Sequence, residues 1–396
     1  MKNIDLVILA GGKGSRIKKF LKNKPKPMIK FNKKFFLDYL LKNLSKYSFN
    51  KIYILAGYKN EIILKNYNHK KINFIEIKCI KEKKLMGTGG ALSQLKKEKI
   101  NDFVLVNGDT IFDINLCDLV KPLKKNKLGR MALSKNFKNT ENLKLNNLRL
   151  NKHNVEYNSN GNYMNGGIYF FKKTILKYVT SSKSSLENDI LPKLIKTKKI
   201  SGKLYNNFFL DIGTPKYLKK SSNLLRNHFK RPAAFLDRDG VINHDYGYVH
   251  KIKKFKFKNG VIKGLKYLVD KNYYIFIVTN QAGIAKGIFK EKNFLHLHKY
   301  LKYKLQSKNI FFNDVKYCPY HPEGKIKKFR KKTLYRKPGN LMVKDIMKDW
   351  LINYKKSFMI GDKITDELCA QKSKLYFEYD KNKFEKQIKK IIRKLL

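Results

Sequence analysis

The sequence predicts an α/β protein made of two doubly wound, Rossmann-like domains. Short apolar runs alternate with longer segments that carry apolar residues at helical spacing, a pattern typical of largely parallel sheets. The alternation pauses once, in the segment SSNLLRNHFKRP at 221–232, and then starts again. A chain of 396 residues is also long enough for two domains of ordinary size.

The first domain is expected to cover residues 1–226. Buried strands are predicted for its short apolar runs at 4–10, 51–56, 103–109 and 166–171. The segments between them have helical periodicity, most clearly in FFLDYLLKNLSKY at 35–47.

A linker at 227–231 is expected to join this domain to a second one at 232–380. Strands are predicted at 233–237, 273–280 and 357–362, and a helix at 291–306. The tail at 381–396 carries basic and apolar residues at helical spacing. This pattern favours a basic C-terminal surface helix over a membrane anchor.

The chain is strongly basic, with 89 Lys and Arg against 30 Asp and Glu, a net charge of +59 and a pI near 10.0. Such a charge attracts polyanions. However, only nine of the basic residues are Arg, and the Lys residues are spread over the whole chain. Nucleic-acid-binding proteins favour Arg and concentrate their charge on one face. The composition therefore favours a solvated basic surface over specific nucleic-acid binding.

The four cysteines, Cys79, Cys117, Cys318 and Cys369, are far apart and form no CxxC pair. This spacing favours neither a disulfide framework nor a four-cysteine zinc site, and it fits a reducing cytoplasm. No segment approaches the roughly 20 apolar residues of a membrane span. We therefore expect a cytoplasmic protein without a membrane span, and the sequence is compatible with a homo-oligomer.

A glycine-rich loop follows the first predicted strand and contains Gly11, Gly12 and Gly14. Glycines at this position let the backbone approach a polyphosphate closely, although a tight turn alone could also use them. The loop matches neither a P-loop nor a dinucleotide-binding GxGxxG motif. Arg16 and Lys26 flank it with positive charge, which suits a nucleoside triphosphate under attack at its α-phosphate.

Two further features of the first half point to the same chemistry. Gly89 belongs to a second glycine turn, GTGGAL at 87–92, which is predicted to open a helix. Asp109 ends a predicted buried strand, where α/β sheets place their ligands and where a carboxylate could hold Mg²⁺. Asp211 in FFLDIGTP could complete such a metal site.

The motifs GGxGxR, PKPM, GTGGAL, GD, NGGIY and DIGTP occur in this order within residues 1–225. This series resembles the sugar-phosphate nucleotidyltransferases, and most closely the D-glycero-α-D-manno-heptose 1-phosphate guanylyltransferases. The resemblance implies that Asp109 and Asp211 bind Mg²⁺, that Arg16 and Lys26 stabilise the triphosphate, and that the glycines bind the nucleotide. The implied sugar-binding residues are Asn165, Gly166 and Glu187.

In the second half, Asp237 and Asp239 follow a predicted buried strand in the motif DRDG. Two carboxylates so close together favour a bound cation, which points to Mg²⁺. One could attack phosphorus while the other transfers the leaving-group proton. Further strands end at Thr279 and at the motif GDKITD, which contains Asp362, and Arg336–Lys337 supplies positive charge.

This series resembles the haloacid dehalogenase phosphatases. The longer matches DRDGVIN, DYGYVH, TNQAGIAKG, CPYHPEG, RKP and GDKITD resemble the D,D-heptose 1,7-bisphosphate phosphatases. The resemblance makes Asp237 the nucleophile and Asp239 the general acid/base, with Mg²⁺ on Asp237, Asp362 and the backbone carbonyl of Asp239. Thr279 and Lys337 would bind the transferring phosphoryl group. The other implied substrate-binding residues are Asp245, Tyr248, Asn280, Arg336 and Lys363.

The sequence departs from this family at its structural zinc site, which has the form CxH…CxC. Cys318 is present, but Tyr320 takes the His position, and Thr333 and Tyr335 replace the paired cysteines. Cys318 and the adjacent His321 cannot complete a tetrahedral zinc site. We therefore expect no zinc and a loop held by aromatic packing, through Tyr317, Tyr320, Phe329 and Tyr335.

Together the two resemblances imply two successive steps of heptose activation. The phosphatase would convert heptose 1,7-bisphosphate into heptose 1-phosphate, which the nucleotidyltransferase would couple to a nucleotide, with GTP as the implied donor. The product would serve a bacterial surface glycan such as lipopolysaccharide, capsule or an S-layer glycan. One alternative combines a mannose- or glucose-1-phosphate nucleotidyltransferase with a histidinol-phosphate-like phosphatase. Another is a polyanion-binding scaffold with two inactive domains.

Overall fold

The computed structural model describes residues 3–21, 23–135 and 147–395. It divides into two compact units, Met1–Leu225 and Arg226–Leu396. Both have α/β architecture, which confirms the predicted fold class. The helix α7 (Pro215–Phe229) contains the unit boundary, and its last turn includes residues 227–229 of the expected linker. In these ranges no helix combines the length and hydropathy that crossing a bilayer requires.

The first unit contains fourteen strands and, with α7, seven α-helices among its described residues. The strands are β1 (Ile4–Leu9), β2 (Lys30–Phe31), β3 (Lys34–Phe35), β4 (Ile52–Ala56), β5 (Lys71–Ile72), β6 (Ile75–Lys81), β7 (Asp102–Asn107), β8 (Thr110–Phe112), β9 (Gly129–Ser134), β10 (Leu148–Asn151), β11 (Asn154–Tyr157), β12 (Met164–Phe171), β13 (Ile200–Tyr205) and β14 (Phe209–Asp211). The remaining helices are α1 (Lys18–Leu21), α2 (Phe36–Ser45), α3 (Asn60–Tyr67), α4 (Gly87–Ala91), α5 (Leu116–Leu119) and α6 (Leu191–Lys196).

Ten of these strands form one sheet, in the order β10-β11-β13-β9-β12-β7-β1-β4-β6-β5. Strands β7, β1, β4 and β6 run parallel, as predicted. Strand β12 differs from the expectation of a mostly parallel sheet, because it is antiparallel to both β7 and β9. The chain runs from β1 to β4 and β6 on one side of β1 and then returns to β7 on its other side, so the loop after β1 lies at a topological switch point, where such sheets bind ligands.

The second unit has a five-stranded parallel sheet in the order β17-β16-β15-β18-β19. Its strands are β15 (Ala233–Leu236), β16 (Tyr274–Asn280), β17 (Asp314–Cys318), β18 (Phe358–Gly361) and β19 (Tyr376–Tyr379). Its helices are α8 (Val261–Asp270), α9 (Ala282–Ala285), α10 (Glu291–Gln306), α11 (Leu341–Asp349), α12 (Ile364–Lys372) and α13 (Phe384–Leu395). Strand β15 is central and its four residues are fully buried, so the chain segment after it lies at the switch point of this sheet.

The predicted C-terminal helix corresponds to α13 and is an integral part of the second unit. Its apolar side chains Phe384, Ile388, Ile391 and Ile392 are buried. Phe384 lies against Gly264 of α8, where a Cβ would come within 2.5 Å of the phenyl ring. The basic residues of α13 therefore form its outer face, while the apolar face stabilises the unit.

Candidate active sites

A cavity of about 530 Å³ lies at the carboxyl ends of β1 and β7 in the first unit. Its walls combine the glycine loop, the end of β7 and the glycine turn at the start of α4. The lining residues that bear on its chemistry are Gly11, Gly12, Lys13, Lys26, Glu82, Gly87, Thr88, Asn107, Asp109 and Lys183. The volume is in the range of small-ligand sites.

The three glycines of the loop have different structural roles. A Cβ on Gly12 would meet no atom within 4 Å, so this backbone faces open space and is available to a ligand. A Cβ on Gly11 would collide with the carboxylate of Glu82. Gly14 has φ +64°, a left-handed conformation that glycine adopts without strain. Gly11 and Gly12 thus lie in the cavity wall, and Gly14 forms the turn that follows.

The predicted carboxylates Asp109 and Asp211 are brought together by the pairing of β8 with β14. Asp211 lies opposite Thr110, and the amide of Ile212 donates to the carbonyl of Asp109 at 3.1 Å. The ammonium of Lys26 lies 2.5 Å from Oδ2 of Asp109. Among the residues that the structure describes, no cation lies as close to Asp211, although the charges of Lys26 and Arg16 reach it.

The acidities of the two carboxylates reflect this arrangement. Burial acts to raise the pKa of Asp109, but the charge and hydrogen bond of Lys26 help to leave that pKa below its usual range. Burial and the charge of Asp109 raise the pKa of Asp211 to about 6. Two half-buried carboxylates with one close lysine therefore retain excess negative charge, and oxygen ligands of this kind fit Mg²⁺.

The predicted sugar-binding residues are only partly brought together. Asn165 donates to the hydroxyl of Tyr169 at 2.6 Å. Burial and the charge of Glu187 raise the pKa of Tyr169, which places Glu187 near this pair. Thr88, which lines the cavity, donates to Oε2 of Glu187 at 2.6 Å. Gly166 instead has a packing role, because a Cβ there would come within 2.6 Å of the ring of Phe112.

Gly89 requires a correction. Its amide donates to the carbonyl of Ser184 at 2.9 Å, and Gly89 is buried. This N–H is therefore already used within the protein and is not available to a nucleotide phosphate. Glu82, Lys183 and Thr88 are cavity residues that the sequence analysis missed. Glu82 directly follows strand β6, and this strand-end position could have identified it as a site residue.

In the second unit, Asp237 lies directly after β15 and is 6% exposed. Its Oδ1 accepts a hydrogen bond from the amide of Arg238 at 2.7 Å, and its Oδ2 lies 3.0 Å from Nζ of Lys337. Lys337 also forms an ion pair with Asp366. Burial raises the pKa of Asp237 to about 7, although Lys337 opposes that rise. Thr279, at the end of the neighbouring strand β16, is buried as well.

Asp239 is held by several donors. Nη2 of Arg238 contacts both of its oxygens, at 2.9 and 2.6 Å, while Asn243 and Gln281 donate to it at 2.9 and 3.0 Å. Burial acts to raise the pKa of Asp239, but these contacts outweigh burial and lower it. This conformation therefore favours the ionised carboxylate, which is the proton-accepting form.

Two further carboxylates converge on Asp237: oxygen atoms of Asp237, Asp362 and Asp366 lie within 4.8 Å of one another. Oδ1 of Asp362 is buried without a hydrogen-bond partner. Gly240 and Gly361 leave the space for this convergence, because a Cβ on either would collide with Asp362 or Asp366 respectively. An all-oxygen cluster with an unsatisfied buried oxygen fits Mg²⁺.

This cluster only partly matches the expected metal ligands. Asp237 and Asp362 are present as predicted, but the side chain of Asp239 turns to Arg238, which leaves its backbone carbonyl as the expected ligand. Asp366 was visible in the GDKITD motif and received no role in the sequence analysis. The structure adds it to the carboxylate cluster.

The remaining predicted substrate residues fall into two groups. Asn280 exchanges two hydrogen bonds with the backbone of Lys337, both 3.0 Å, so it positions Lys337 and keeps one N–H of its amide for substrate. Lys363 reaches Asp245 at 3.4 Å and Asp362 at 3.9 Å. Arg336 has a buried Nη1 without a partner, and Tyr248 is 40% exposed. These last two side chains therefore retain capacity to bind a ligand.

The loop that follows β17 does not fit a zinc site. Tyr320, Thr333 and Tyr335 offer no thiolate or imidazole, and burial raises the pKa of the Cys318 thiol. The ring of Tyr320 lies 6.0 Å from that of Phe329, and Nζ of Lys331 lies 4.0 Å from the centre of the Tyr320 ring. Aromatic packing and a cation–π contact thus occupy the place where the zinc ligands were expected.

Comparison with known proteins assigns the second unit. The sequence profile described as polynucleotide kinase 3 phosphatase matches residues 234–391. The chain is 42% identical over 144 residues to a D-glycero-β-D-manno-heptose-1,7-bisphosphate 7-phosphatase from Photorhabdus laumondii. This alignment covers 36% of the chain and 77% of the relative. The chain belongs to the heptose-1,7-bisphosphate 7-phosphatase family. We therefore call the second unit the phosphatase unit.

A further relative of the phosphatase unit is named for the other anomer of the heptose bisphosphate. It is a D-glycero-α-D-manno-heptose-1,7-bisphosphate 7-phosphatase from the same organism, and it is 40% identical over 139 residues. That alignment covers 35% of the chain and 76% of the relative.

The profile of the nucleotidyl transferase family matches residues 6–144 of the first unit. Among solved structures, HddC from Yersinia pseudotuberculosis is 26% identical and has a TM-score of 0.47, covering 56% of this chain and 98% of HddC. Because this profile match lies in the first unit, we call that unit the nucleotidyltransferase unit.

Proposed function

We propose that the chain catalyses two consecutive steps in the synthesis of a nucleotide-activated heptose. The phosphatase unit removes the 7-phosphate of D-glycero-D-manno-heptose 1,7-bisphosphate. The nucleotidyltransferase unit then couples heptose 1-phosphate to GMP from GTP and releases pyrophosphate. The observation that carries the proposal is Asp237, a buried carboxylate at the switch point of a unit that belongs to the heptose bisphosphatase family.

In the first half of the phosphatase reaction, an oxygen of Asp237 attacks the phosphorus of the 7-phosphate. The bond from phosphorus to the sugar O7 breaks, and O7 takes a proton from Asp239. Lys337 neutralises charge on the nucleophile and on the transferring group. To carry that proton, Asp239 must release one oxygen from Arg238, because the observed contacts favour its ionised form.

In the second half, water attacks the phosphorus of the aspartyl phosphate. Asp239 accepts the proton of this water in the ionised state that the structure describes, and the acyl phosphate bond breaks to release inorganic phosphate. The carboxylate cluster of Asp237, Asp362 and Asp366 would hold Mg²⁺, with the backbone carbonyl of Asp239 as a further ligand. When bound, the ion neutralises charge on the phosphoryl oxygens.

In the nucleotidyltransferase unit, a phosphate oxygen of heptose 1-phosphate attacks the α-phosphorus of GTP, and the bond to the β-phosphate breaks. Arg16, Lys26 and the amides around Gly12 bind the triphosphate. Asp109 and Asp211 would hold Mg²⁺, which offsets charge on the leaving pyrophosphate. Positioning and charge neutralisation supply most of the catalysis in reactions of this type.

Glu82 supports guanine as the base. Its Oε2 accepts a hydrogen bond from the amide of Met86 at 3.3 Å, and its Oε1 faces Gly11 in the cavity wall. Guanine presents two adjacent donors, N1–H and the exocyclic amino group, which match a carboxylate acceptor. Adenine offers an acceptor at N1 and would leave a buried carboxylate oxygen unpaired, at a cost of about 1–3 kcal/mol.

The test is product analysis with each anomer of the bisphosphate, Mg²⁺ and each of the four common nucleoside triphosphates. We expect inorganic phosphate from the bisphosphate and a GDP-heptose only when GTP is present. With Asp237→Asn the bisphosphate should persist, whereas with Asp109→Asn heptose 1-phosphate should accumulate. Histidinol phosphate and mannose 1-phosphate serve as comparison substrates.

The outcomes separate the alternatives. Faster phosphate release from histidinol phosphate would overturn the proposed phosphatase substrate, and transfer from another triphosphate would overturn the choice of GTP. We further propose that this chemistry takes place in the cytoplasm and supplies heptose for a surface glycan such as lipopolysaccharide or capsule. Salt-dependent binding of nucleic acid at physiological ionic strength would instead favour a polyanion-binding role.

A further inference from the structure

The loop 182–185 is fixed tightly on the glycine turn 87–90. The carbonyl of Ser184 accepts hydrogen bonds from the amides of Gly89 and Gly90, at 2.9 and 3.3 Å, and the amide of Ser184 donates to the carbonyl of Met86 at 2.9 Å. A Cβ on Gly87 would collide with the carbonyl of Ser184. The glycines of this turn therefore leave space for the loop 182–185 beside the cavity, and the amides of Gly89 and Gly90 hold the loop there by hydrogen bonds.

The same loop is anchored on its other side by Thr88. Its hydroxyl accepts from the amide of Leu186 at 2.8 Å and donates to Glu187 at 2.6 Å. Glu187 lies in a π-helical segment, Leu186–Ile190, that follows the loop directly. Both the loop and the expected sugar-binding carboxylate are thus positioned by one short segment, 87–90.

Lys183 directly precedes the anchored Ser184, is exposed, and lines the cavity. Among the described lining residues, the other cations are Lys13, in the glycine loop, and Lys26, which is paired with Asp109. Lys183 therefore adds positive charge from a chain segment that is separate from the triphosphate-binding loop. The sequence analysis gave it no role.

A cation in such a place suits the chemistry of nucleotidyl transfer. The acceptor phosphate carries negative charge and must approach a triphosphate that carries more. Two like charges in close contact repel strongly at the effective dielectric constant of a protein site. The acceptor phosphate therefore needs a positive group of its own, in addition to those that bind the triphosphate.

We propose that Lys183 binds the phosphate of the sugar 1-phosphate acceptor. The glycine turn 87–90 acts as the support that sets the distance between this ammonium and the sugar-binding carboxylate of Glu187. The inference rests on the proposed function, in that it assumes a sugar 1-phosphate as the acceptor. It does not depend on which sugar or which base is used.

The test compares Lys183→Ala with wild type in steady-state nucleotidyl transfer. We expect the KM for the sugar 1-phosphate to rise about 10- to 100-fold, the loss typical of one charge-assisted hydrogen bond. The KM for the triphosphate, and the affinity for a non-hydrolysable triphosphate analogue without sugar, should change less than about twofold. Lys183→Arg should recover most of the loss. Lys177→Ala, an exposed lysine of the same unit, is the matched control.

Phosphate release by the phosphatase unit reports the amount of active chain in each sample, and binding of the triphosphate analogue reports that the nucleotidyltransferase unit is folded. The proposal is wrong if Lys183→Ala behaves like Lys177→Ala, or if it weakens the triphosphate and spares the sugar phosphate. Heptose, mannose and glucose 1-phosphates are all tested as acceptors. If wild type uses mannose but not heptose 1-phosphate, the proposed substrate fails, and the Lys183 comparison is then decided with mannose 1-phosphate. If wild type uses none of the three, both proposals fail.

Discussion

The ammonium of Lys337 lies 3.0 Å from Oδ2 of Asp237, and both side chains are almost completely buried, at 2% and 6% exposure. The same ammonium pairs with Asp366, which is fully buried. Burial acts to lower the pKa of Lys337, but the two carboxylates outweigh burial and raise it, so the lysine stays charged. One cation thus compensates two buried carboxylates.

Replacing Lys337 by Met should lower both the catalytic activity and the free energy of unfolding of the phosphatase unit. Two buried carboxylates would lose their cation, which costs about 3–5 kcal/mol in comparable buried pairs. We expect phosphate release to fall at least about 100-fold, because the nucleophile and the transferring group lose the same positive charge. Urea unfolding and phosphate release measure the two effects. Lys344→Met, an exposed position on α11, is the control, and equal behaviour of the two variants would contradict the assignment.

Adding a methyl group should change stability in the glycine turn 87–90 but not in the glycine loop after β1. Gly87 has φ +75° and no room for a Cβ, so Gly87→Ala should destabilise the nucleotidyltransferase unit by about 1–3 kcal/mol and slow nucleotidyl transfer. Gly12 has open space, so Gly12→Ala should change stability by less than about 0.5 kcal/mol. Gly12→Ala should still raise the KM for the triphosphate, because the added methyl group prevents the phosphate from approaching the backbone closely.

Thermal and urea unfolding, together with the KM for the triphosphate, separate these effects. Phosphate release by the other unit is the internal control. A stable Gly87→Ala protein with normal transfer would show that the turn does not have to hold the 182–185 loop.

Much of both sites could be predicted because their residues follow buried strands. Asp109 and Asp237 could be assigned to sites because parallel sheets bind ligands at the carboxyl ends of their strands. Apolar runs locate those ends in the sequence. The strand β12 was also located, but its antiparallel direction was not, because an apolar run is the same in either direction.

The remaining site features depend on tertiary contacts that a motif does not encode. Gly89 was expected to bind the nucleotide, but its amide donates to the carbonyl of Ser184, which lies 95 residues further along the chain. Asn280 looked like a substrate residue, but it positions Lys337. Lys183 belongs to no glycine or strand-end motif of the kind used, and only the fold places it in the cavity wall.

A buried lysine outside the sites predicts a pH-dependent stability. Lys302 on α10 is 6% exposed, and burial lowers its pKa to about 7 despite the opposing charge of Asp314. His298, one turn earlier, is fully buried, and burial lowers its pKa as well. In the unfolded chain Lys302 has its ordinary pKa of 10.5. Between these two values the unfolded state binds more protons, so this residue makes stability increase with pH.

We therefore expect the free energy of unfolding of the phosphatase unit to be larger at about pH 9 than at about pH 7, by an amount that Lys302→Met removes. Urea unfolding of wild type and variant at both pH values measures the difference. Lys299→Met, an exposed position on the same helix, should keep the wild-type pH dependence. If Lys302→Met also keeps it, Lys302 is protonated in the folded state at both pH values.

The loop after β17 predicts a phosphatase unit that needs no zinc. Protein purified without chelator should contain well below one zinc per chain by mass spectrometry. After dialysis against a chelator, Mg²⁺ alone should restore phosphate release, because the loop is held by Tyr320, Phe329 and Lys331. Tyr320→Ala should then destabilise the unit by about 1–3 kcal/mol, since it removes a ring pair and a cation–π contact. Lys331→Met, which removes only the cation, should cost about 0.5–1 kcal/mol. One equivalent of bound zinc, or a loss of stability on chelation, would show instead that a metal holds this loop.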